Sequence, residues 1–183
     1  RVFKRYIVDA GAVWYPRPWA MEARALIRAA GLAVPRYVAT YAGRGKDGRR
    51  QFVLQRTYIR GRSIERVNNA VVEAMAELLA GLHRRGVVTR DATIDNFVQR
   101  PDQTMCFIDF GKARIHRLPA YYDIGSELAR FFHGTLFYDE ALWRGFCRRY
   151  EQVRRTGAAA RAVERFFFRF CKKSRMRRRG IRP

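Results

Sequence analysis

The chain has 183 residues, 48% of them hydrophobic, enough for a packed core and for one domain or one and a fraction. Its formal net charge of +22 favours polyanionic partners: nucleic acid, anionic lipid or a phosphorylated glycan. No run approaches the roughly 18 apolar residues of a membrane span, and Cys106, Cys147 and Cys171 match no metal spacing, so they read as buried thiols in a reducing compartment.

The chain opens on Arg1 rather than Met, with no secretory hydrophobic segment behind it, so its natural N-terminus is expected upstream. RVFKRYIV (1–8) reads as a strand with Val2 and Ile7 as candidate core residues. A Gly-, Trp- and Pro-rich loop follows, then a helix over about 18–30, with Pro18 in its first turn and Gly31 at its end. VPRYVATY (34–41) and QFVLQRTYI (51–59) read as strands around the basic turn GRGKDGRR.

The clearest helix covers about 69–85, where Val71, Met75, Leu78, Leu79 and Leu82 form an apolar stripe that Gly86 stops. VVT (87–89) is a short strand. NFVQR and MCFIDF form a hairpin around PDQT. Helices are expected near 123–133, near 139–155 and from about Ala158 onward. Composition and periodicity describe a mixed α+β chain.

Two loops carry the chemistry. RDATIDN (90–96) sets Asp91 five positions before Asn96, and IDFG (108–111) sets Asp109 after an apolar run. A catalytic loop followed by a metal loop is the arrangement of a kinase-type phosphotransferase. Asp91 suits the task of accepting a hydroxyl proton. Asn96 and Asp109 are hard oxygen ligands suited to Mg²⁺, and Gly111 allows a close backbone turn. Asp95 reads as a loop or cap residue. Lys4 is the candidate phosphate-binding lysine. Glu22, the only acid between Asp9 and Asp47, is its candidate partner. Backbone groups around Thr57 and Tyr58, in QRTYIRG (55–61), are candidates to meet an adenine edge, or else these are ordinary strand residues. Asp123 reads either as an N-cap or as a brace for the catalytic loop. His83, His116 and His133 form no metal cluster, and His83 is expected to pack just before the catalytic loop.

LLAGLHRRGVVTRDATIDNF followed by FIDFGKAR resembles the protein-kinase-like superfamily. Within it, the chain resembles the lipopolysaccharide core kinases, which phosphorylate heptose or Kdo in the inner core of Gram-negative bacteria. YIRGRSIERVNNA resembles their lobe-linking segment, and the likeness runs to about residue 133. It implies a two-lobe fold with an incomplete N-terminal sheet lobe: 1–60 as N-lobe, 61–164 as helical C-lobe, and 165–183 as a basic aromatic C-terminal helix or tail, whose Phe side either covers the core or stays exposed. It implies ATP and Mg²⁺ as cofactors, with Lys4 as the ATP-binding lysine, Glu22 as its helix partner and Asp91 as the catalytic aspartate. Asn96 and Asp109 match the metal ligands, and Asp123 the structural aspartate.

The departures are informative. Thr89 stands where protein kinases usually carry histidine. Three residues precede Lys4, so no glycine-rich loop does. Only 11 residues separate Gly111 from Asp123, too few for a protein-kinase activation segment, which favours a sugar or other small acceptor.

From Arg165 onward the chain has no acidic residue, and Phe166, Phe167, Phe168 and Phe170 interleave with cations. Arg165, Lys172, Lys173, Arg175, Arg177, Arg178 and Arg179 are the candidate contacts to an anionic membrane surface. RNA is the alternative polyanion. The leading expectation is an ATP-dependent kinase of a phosphorylated lipopolysaccharide core, cytoplasmic and peripheral to the inner membrane. The alternatives are an atypical RIO-like kinase of RNA or ribosomal machinery, and a catalytically silent kinase-like binding module.

Overall fold

A computed structural model describes residues 1–8, 17–118, 120–137 and 139–178. Arg179 and residues 9–16 of the expected Gly-, Trp- and Pro-rich loop lie outside the described residues.

The first half is an antiparallel sheet of β1 (Val2–Val8), β2 (Tyr37–Arg44) and β3 (Arg50–Arg56), in the order β1-β3-β2. Side chains alternate across a strand. Val2, Lys4 and Tyr6 are therefore half-buried, and Phe3, Arg5 and Ile7 are exposed. Val2 and Ile7, expected together in the core, differ in parity and cannot share a face; Ile7 points outward. β2 starts beyond Pro35, which has no N–H to give to a ladder, so the strand is displaced toward the C-terminus of the expected 34–41.

Helix α1 (Pro18–Arg28) crosses the inner face of this sheet. Trp19 stacks on Phe52 with ring centroids 3.8 Å apart, and Leu26 and Leu54 are buried beside them. The same helix face carries Glu22, one turn from Trp19, so packing of the helix aims a carboxylate at β1.

The second half runs β4 (Arg62–Ser63), α2 (Asn69–Arg84), β5 (Val87–Val88), a 3₁₀ turn (Ile94–Asn96), β6 (Phe97–Gln99), β7 (Met105–Phe107), β8 (Arg114–Ile115), α3 (Tyr121–Gly134), α4 (Glu140–Arg154) and α5 (Ala158–Arg178). β4, β6 and β7 form one antiparallel sheet, and β5 pairs with β8. Asn68 caps α2, its Oδ1 accepting the Val71 amide at 3.0 Å. The expected stripe from Val71 to Leu82 is buried. Gly86, at φ +69°, lies so close to the His116 carbonyl that a Cβ would collide with it. That contact brings β5 against β8 and sets the loop after β5 beside the segment after Gly111.

An aromatic chain runs through the core. Phe168 of α5 stacks on Trp143 (4.5 Å), Trp143 on Phe146 (5.2 Å), and Phe146 lies against Phe131 (4.5 Å). Phe131 meets Phe97 (6.1 Å), Phe97 meets Phe107 (5.2 Å), and Phe107 meets Phe110 (5.3 Å). The interaction thus reaches from the last helix to the residue beside Asp109.

The boundary expected at 164/165 falls inside α5, which is continuous across it. The reason is packing: a Cβ on Gly125 of α3 would lie 2.7 Å from Phe167 Cβ and 2.8 Å from the Phe168 amide nitrogen, so the two helices nearly touch. Phe168 and Cys171 are core residues rather than a tail. Burial raises the thiols of Cys106 and Cys171 above their usual range and pushes Cys147 up to about 12, which leaves all three protonated and inert near neutrality. Among the described residues no helix is long and apolar enough to cross a membrane.

Candidate active site

Lys4 projects from β1 between two carboxylates. Its Nζ lies 3.1 Å from Glu22 Oε2 and 3.0 Å from Asp109 Oδ1, so strand, helix and metal loop meet at one ammonium. Glu22 is fully buried. It is also approached by Arg56 Nη1 at 3.6 Å and receives the Tyr6 hydroxyl. Burial and the neighbouring Glu22 carboxylate raise the Tyr6 phenol well above its usual range, keeping it a donor. Arg56 also donates to the Ile108 carbonyl, which joins β3 to the residue before Asp109.

Asp109 Oδ1 accepts the Gly111 amide at 2.9 Å as well as Lys4. Burial pushes its carboxyl upward, but the Gly111 hydrogen bond and the Lys4 cation outweigh that and hold it below the usual carboxylate range. A Cβ on Gly111 would sit 2.8 Å from Lys4 Nζ and 3.2 Å from Asp109 Oδ1, so glycine keeps this junction open.

Asp91 and Asn96 stand on the catalytic loop. Asn96 Nδ2 donates to the Asp91 carbonyl at 2.7 Å and to Thr93 Oγ1 at 3.3 Å, which commits the nitrogen end of the amide to the loop and leaves the oxygen end for a cation. The Asn96 carbonyl accepts the Ile108 amide at 3.0 Å, joining the two expected metal ligands through the backbone. Asp95 sits exposed in the 3₁₀ turn.

The brace under the loop is Glu127, which sequence reasoning missed. Its Oε1 accepts the Arg90 amide at 2.8 Å and the Thr89 hydroxyl, and its Oε2 lies 2.6 Å from His83 Nε2. Asp123, expected in that role or as a cap, does neither. It lies within α3, beyond the Ala120 N-cap, and its carboxylate faces side chains: His116 at 3.1 Å, Arg114 at 3.4 Å and Arg90 at 4.0 Å. One turn further along the helix, Glu127 reaches the backbone. Arg90 holds φ +61°, a left-handed conformation that non-glycine residues rarely adopt, and the Glu127 contact to its amide anchors the turn. Thr89 takes the position usual for histidine because a short hydroxyl fits between the loop and Glu127.

Behind Glu127 the polar contacts continue. His83 Nδ1 lies 2.6 Å from the Tyr150 hydroxyl, which accepts Arg154 Nη1 at 2.7 Å, and Arg154 pairs with Glu164. Five segments, from α5 to the catalytic loop, are joined by buried polar groups. Burial raises the Tyr150 phenol and the Glu164 carboxyl, Arg154 opposing both.

Thr57 and Tyr58 are not brought to Lys4. The Thr57 hydroxyl accepts the Arg36 amide at 2.8 Å, and both residues line a separate cleft of about 520 Å³ with Leu32, Ala33, Arg60 and Arg100. None of Lys4, Glu22, Asp91, Asn96 or Asp109 lines it.

Several of the expected anion contacts on α5 are engaged internally. Arg165 pairs with Glu151 at 2.6 Å; Lys172 pairs with Glu140 at 2.7 Å and lies over the Phe132 ring at 4.3 Å. Arg175 is half-buried, and Arg178 donates to Ser174 Oγ at 3.2 Å. Lys173 and Arg177 are exposed, on the same side as Phe166 and Phe170.

The lipopolysaccharide kinase (Kdo/WaaP) family model matches residues 15–150, a range that contains Glu22, Asp91, Asn96 and Asp109 and leaves Lys4 and the whole of α5 outside. No curated protein matches the chain.

Proposed function

Because the chain belongs to the lipopolysaccharide kinase (Kdo/WaaP) family, we propose that it transfers the γ-phosphoryl group of ATP to a hydroxyl of a lipopolysaccharide core sugar, heptose or Kdo. Membership in a kinase family implies kinase activity and ATP as donor. The observation that carries the reading is Lys4 held between Glu22 and Asp109 at about 3 Å, next to the loop that bears Asp91 and Asn96.

The residues fit an Mg-nucleotide. Lys4, fixed by two carboxylates, presents one directed cation to phosphate oxygens. Asp109 offers a carboxylate held ionised, and Asn96 a neutral oxygen, the hard donors Mg²⁺ takes. Among the described residues no group of three His, Cys, Asp or Glu side chains could hold a metal, and two protein ligands suit an ion that completes its shell with phosphates and water. The nucleotide supplies the phosphoryl group: the acceptor oxygen bonds to phosphorus as the bond to the departing diphosphate breaks. Asp91 accepts the acceptor's hydroxyl proton and aims its oxygen. Glu127, through the Arg90 amide, and Asn96, through the Asp91 carbonyl, keep Asp91 in place.

We place this chemistry at an anionic membrane face, where the outward side of α5 sets Phe166 and Phe170 in the interface and Lys173 and Arg177 on head groups. The test is transfer of radiolabelled γ-phosphate to isolated core glycolipid. Asp91→Asn should lower transfer by about 10²–10⁴-fold, the usual weight of a positioned proton acceptor. Absence of transfer by the full chain would overturn the assignment.

A further inference from the structure

Asp91 does not stand open to a hydroxyl. Its Oδ2 is 2.8 Å from Lys112 Nζ, and its Oδ1 is 3.4 Å from Arg130 Nη1. The carboxylate is only 16% exposed, whereas the Lys112 and Arg130 side chains are 64% and 36% exposed. The two cations therefore lie on the solvent side of Asp91, where an acceptor must enter. They come from different supports: Lys112 follows Gly111 directly, and Arg130 stands on α3 one turn beyond Glu127.

A hydroxyl that gives its proton to Asp91 must reach one of these oxygens from the solvent side, where the cation already bound to it stands in the way. Against a neutral acceptor, a displaced ammonium gains nothing but water. Against an acceptor carrying an anionic group beside the reacting hydroxyl, it exchanges one charge-assisted partner for another. The donor side has its own cation: Lys4 lies on the far side of Gly111, bound to Asp109 and Glu22. The two lysines thus divide the cleft, one toward the nucleotide and one toward the acceptor.

We infer that Lys112 and Arg130 form an anion subsite that selects an acceptor bearing a phosphate or carboxylate next to its reacting hydroxyl and that releases Asp91 when that group binds. The inference rests on the proposed phosphotransfer at Asp91. It adds the chemical feature by which an acceptor is chosen.

The experiment compares core glycolipid in three forms, intact, dephosphorylated and carboxyl-reduced, as acceptors for the full chain and for Lys112→Ala/Arg130→Ala. The wild type should prefer the intact form over one stripped form by at least about tenfold in kcat/KM, the weight of one charge-assisted hydrogen bond. Which stripped form loses identifies the anion. The double variant should lose that preference with its KM for ATP unchanged, and Lys112→Arg/Arg130→Lys should retain most of it, which separates anion recognition from a folding defect. Equal loss on all three acceptors with a raised KM for ATP would assign the cations to the nucleotide and overturn the inference, as would a wild type indifferent to both strippings. A second arm is independent of the acceptor: binding of inorganic phosphate to the ADP complex should weaken at least about fivefold in the double variant, and equal binding would overturn the subsite. Transfer to none of the three forms, with phosphate binding lost in the variant, would remove the acceptor assignment and leave the anion subsite standing.

Discussion

Glu127 shows how much one buried side chain carries. Two of its contacts hold the Arg90 turn and Thr89, and the third reaches His83. Removing it leaves a part-buried amide and a buried hydroxyl proton without an acceptor, each costing about 1–3 kcal/mol. Glu127→Ala is therefore expected to lower unfolding stability by about 2–4 kcal/mol in urea titration and to lower kcat by more than it raises the KM for ATP, since Lys4, Glu22 and Asp109 are untouched. Glu127→Gln keeps a carbonyl oxygen for the loop and should recover much of both. Equal damage to kcat and to nucleotide affinity would place Glu127 in nucleotide binding instead.

The sequence could single out Lys4, Glu22, Asp91, Asn96 and Asp109, the residues of the proposed site, because a phosphotransfer site has few ways of arranging a lysine, three carboxylates and an amide along a chain, and the fold brings Lys4 to Glu22 and Asp109 and Asn96 to the Asp91 carbonyl. Glu127, Arg130, Lys112 and Arg56 were not. An acid or cation on an amphipathic helix reads as surface, and only tertiary packing against His83 or the catalytic loop turns it inward. The one available signal was the spacing of Asp123, Glu127 and Arg130 on α3, three polar residues on one helical face that a solvated helix would not need aligned.

At the scale of elements, α3 is the platform of the site. The face that carries Asp123, Glu127 and Arg130 continues to Gly134, where a Cβ would lie 3.3 Å from Thr93, and Thr135 Oγ1 donates to the Ala92 carbonyl at 3.4 Å. Its opposite side is held by α5 at Gly125. Gly125→Ala would drive a methyl against the α5 backbone and should destabilise the fold by about 1–3 kcal/mol, the usual cost of overpacking; a urea midpoint unchanged from wild type would contradict the seam. The helices were readable from apolar periodicity, α2 above all. β4 and β8 have two residues each, too few for any period, and owe their existence to partners distant in the chain. The 164/165 boundary was misplaced because RFFFRF reads alike as a covered helix or as an aromatic tail until α3 is seen beneath it.

For the whole molecule, the +22 charge is unevenly committed. Arg154, Arg165 and Lys172 are spent on internal pairs, while Lys173 and Arg177 face outward with Val163, Phe166 and Phe170, which are 38%, 63% and 58% exposed. Cosedimentation with vesicles rich in phosphatidylglycerol should show binding that falls with salt and weakens about tenfold or more in Phe166→Ser/Phe170→Ser, at roughly 1 kcal/mol per basic residue and more per buried ring. Equal binding to neutral vesicles, or displacement from anionic ones by RNA at low salt, would contradict the membrane assignment.

The aromatic chain also gives the protein a built-in optical readout. Trp19 is stacked on Phe52 between sheet and helix in the first half, and Trp143 is stacked between Phe146 and Phe168 in the second. Each indole reports the solvation of its own half, and Trp143 of α4 lies where α5 meets the interior, beside its packing on α3. With Trp14 replaced, emission from these two positions follows nucleotide-side and tail-side rearrangements without any added label.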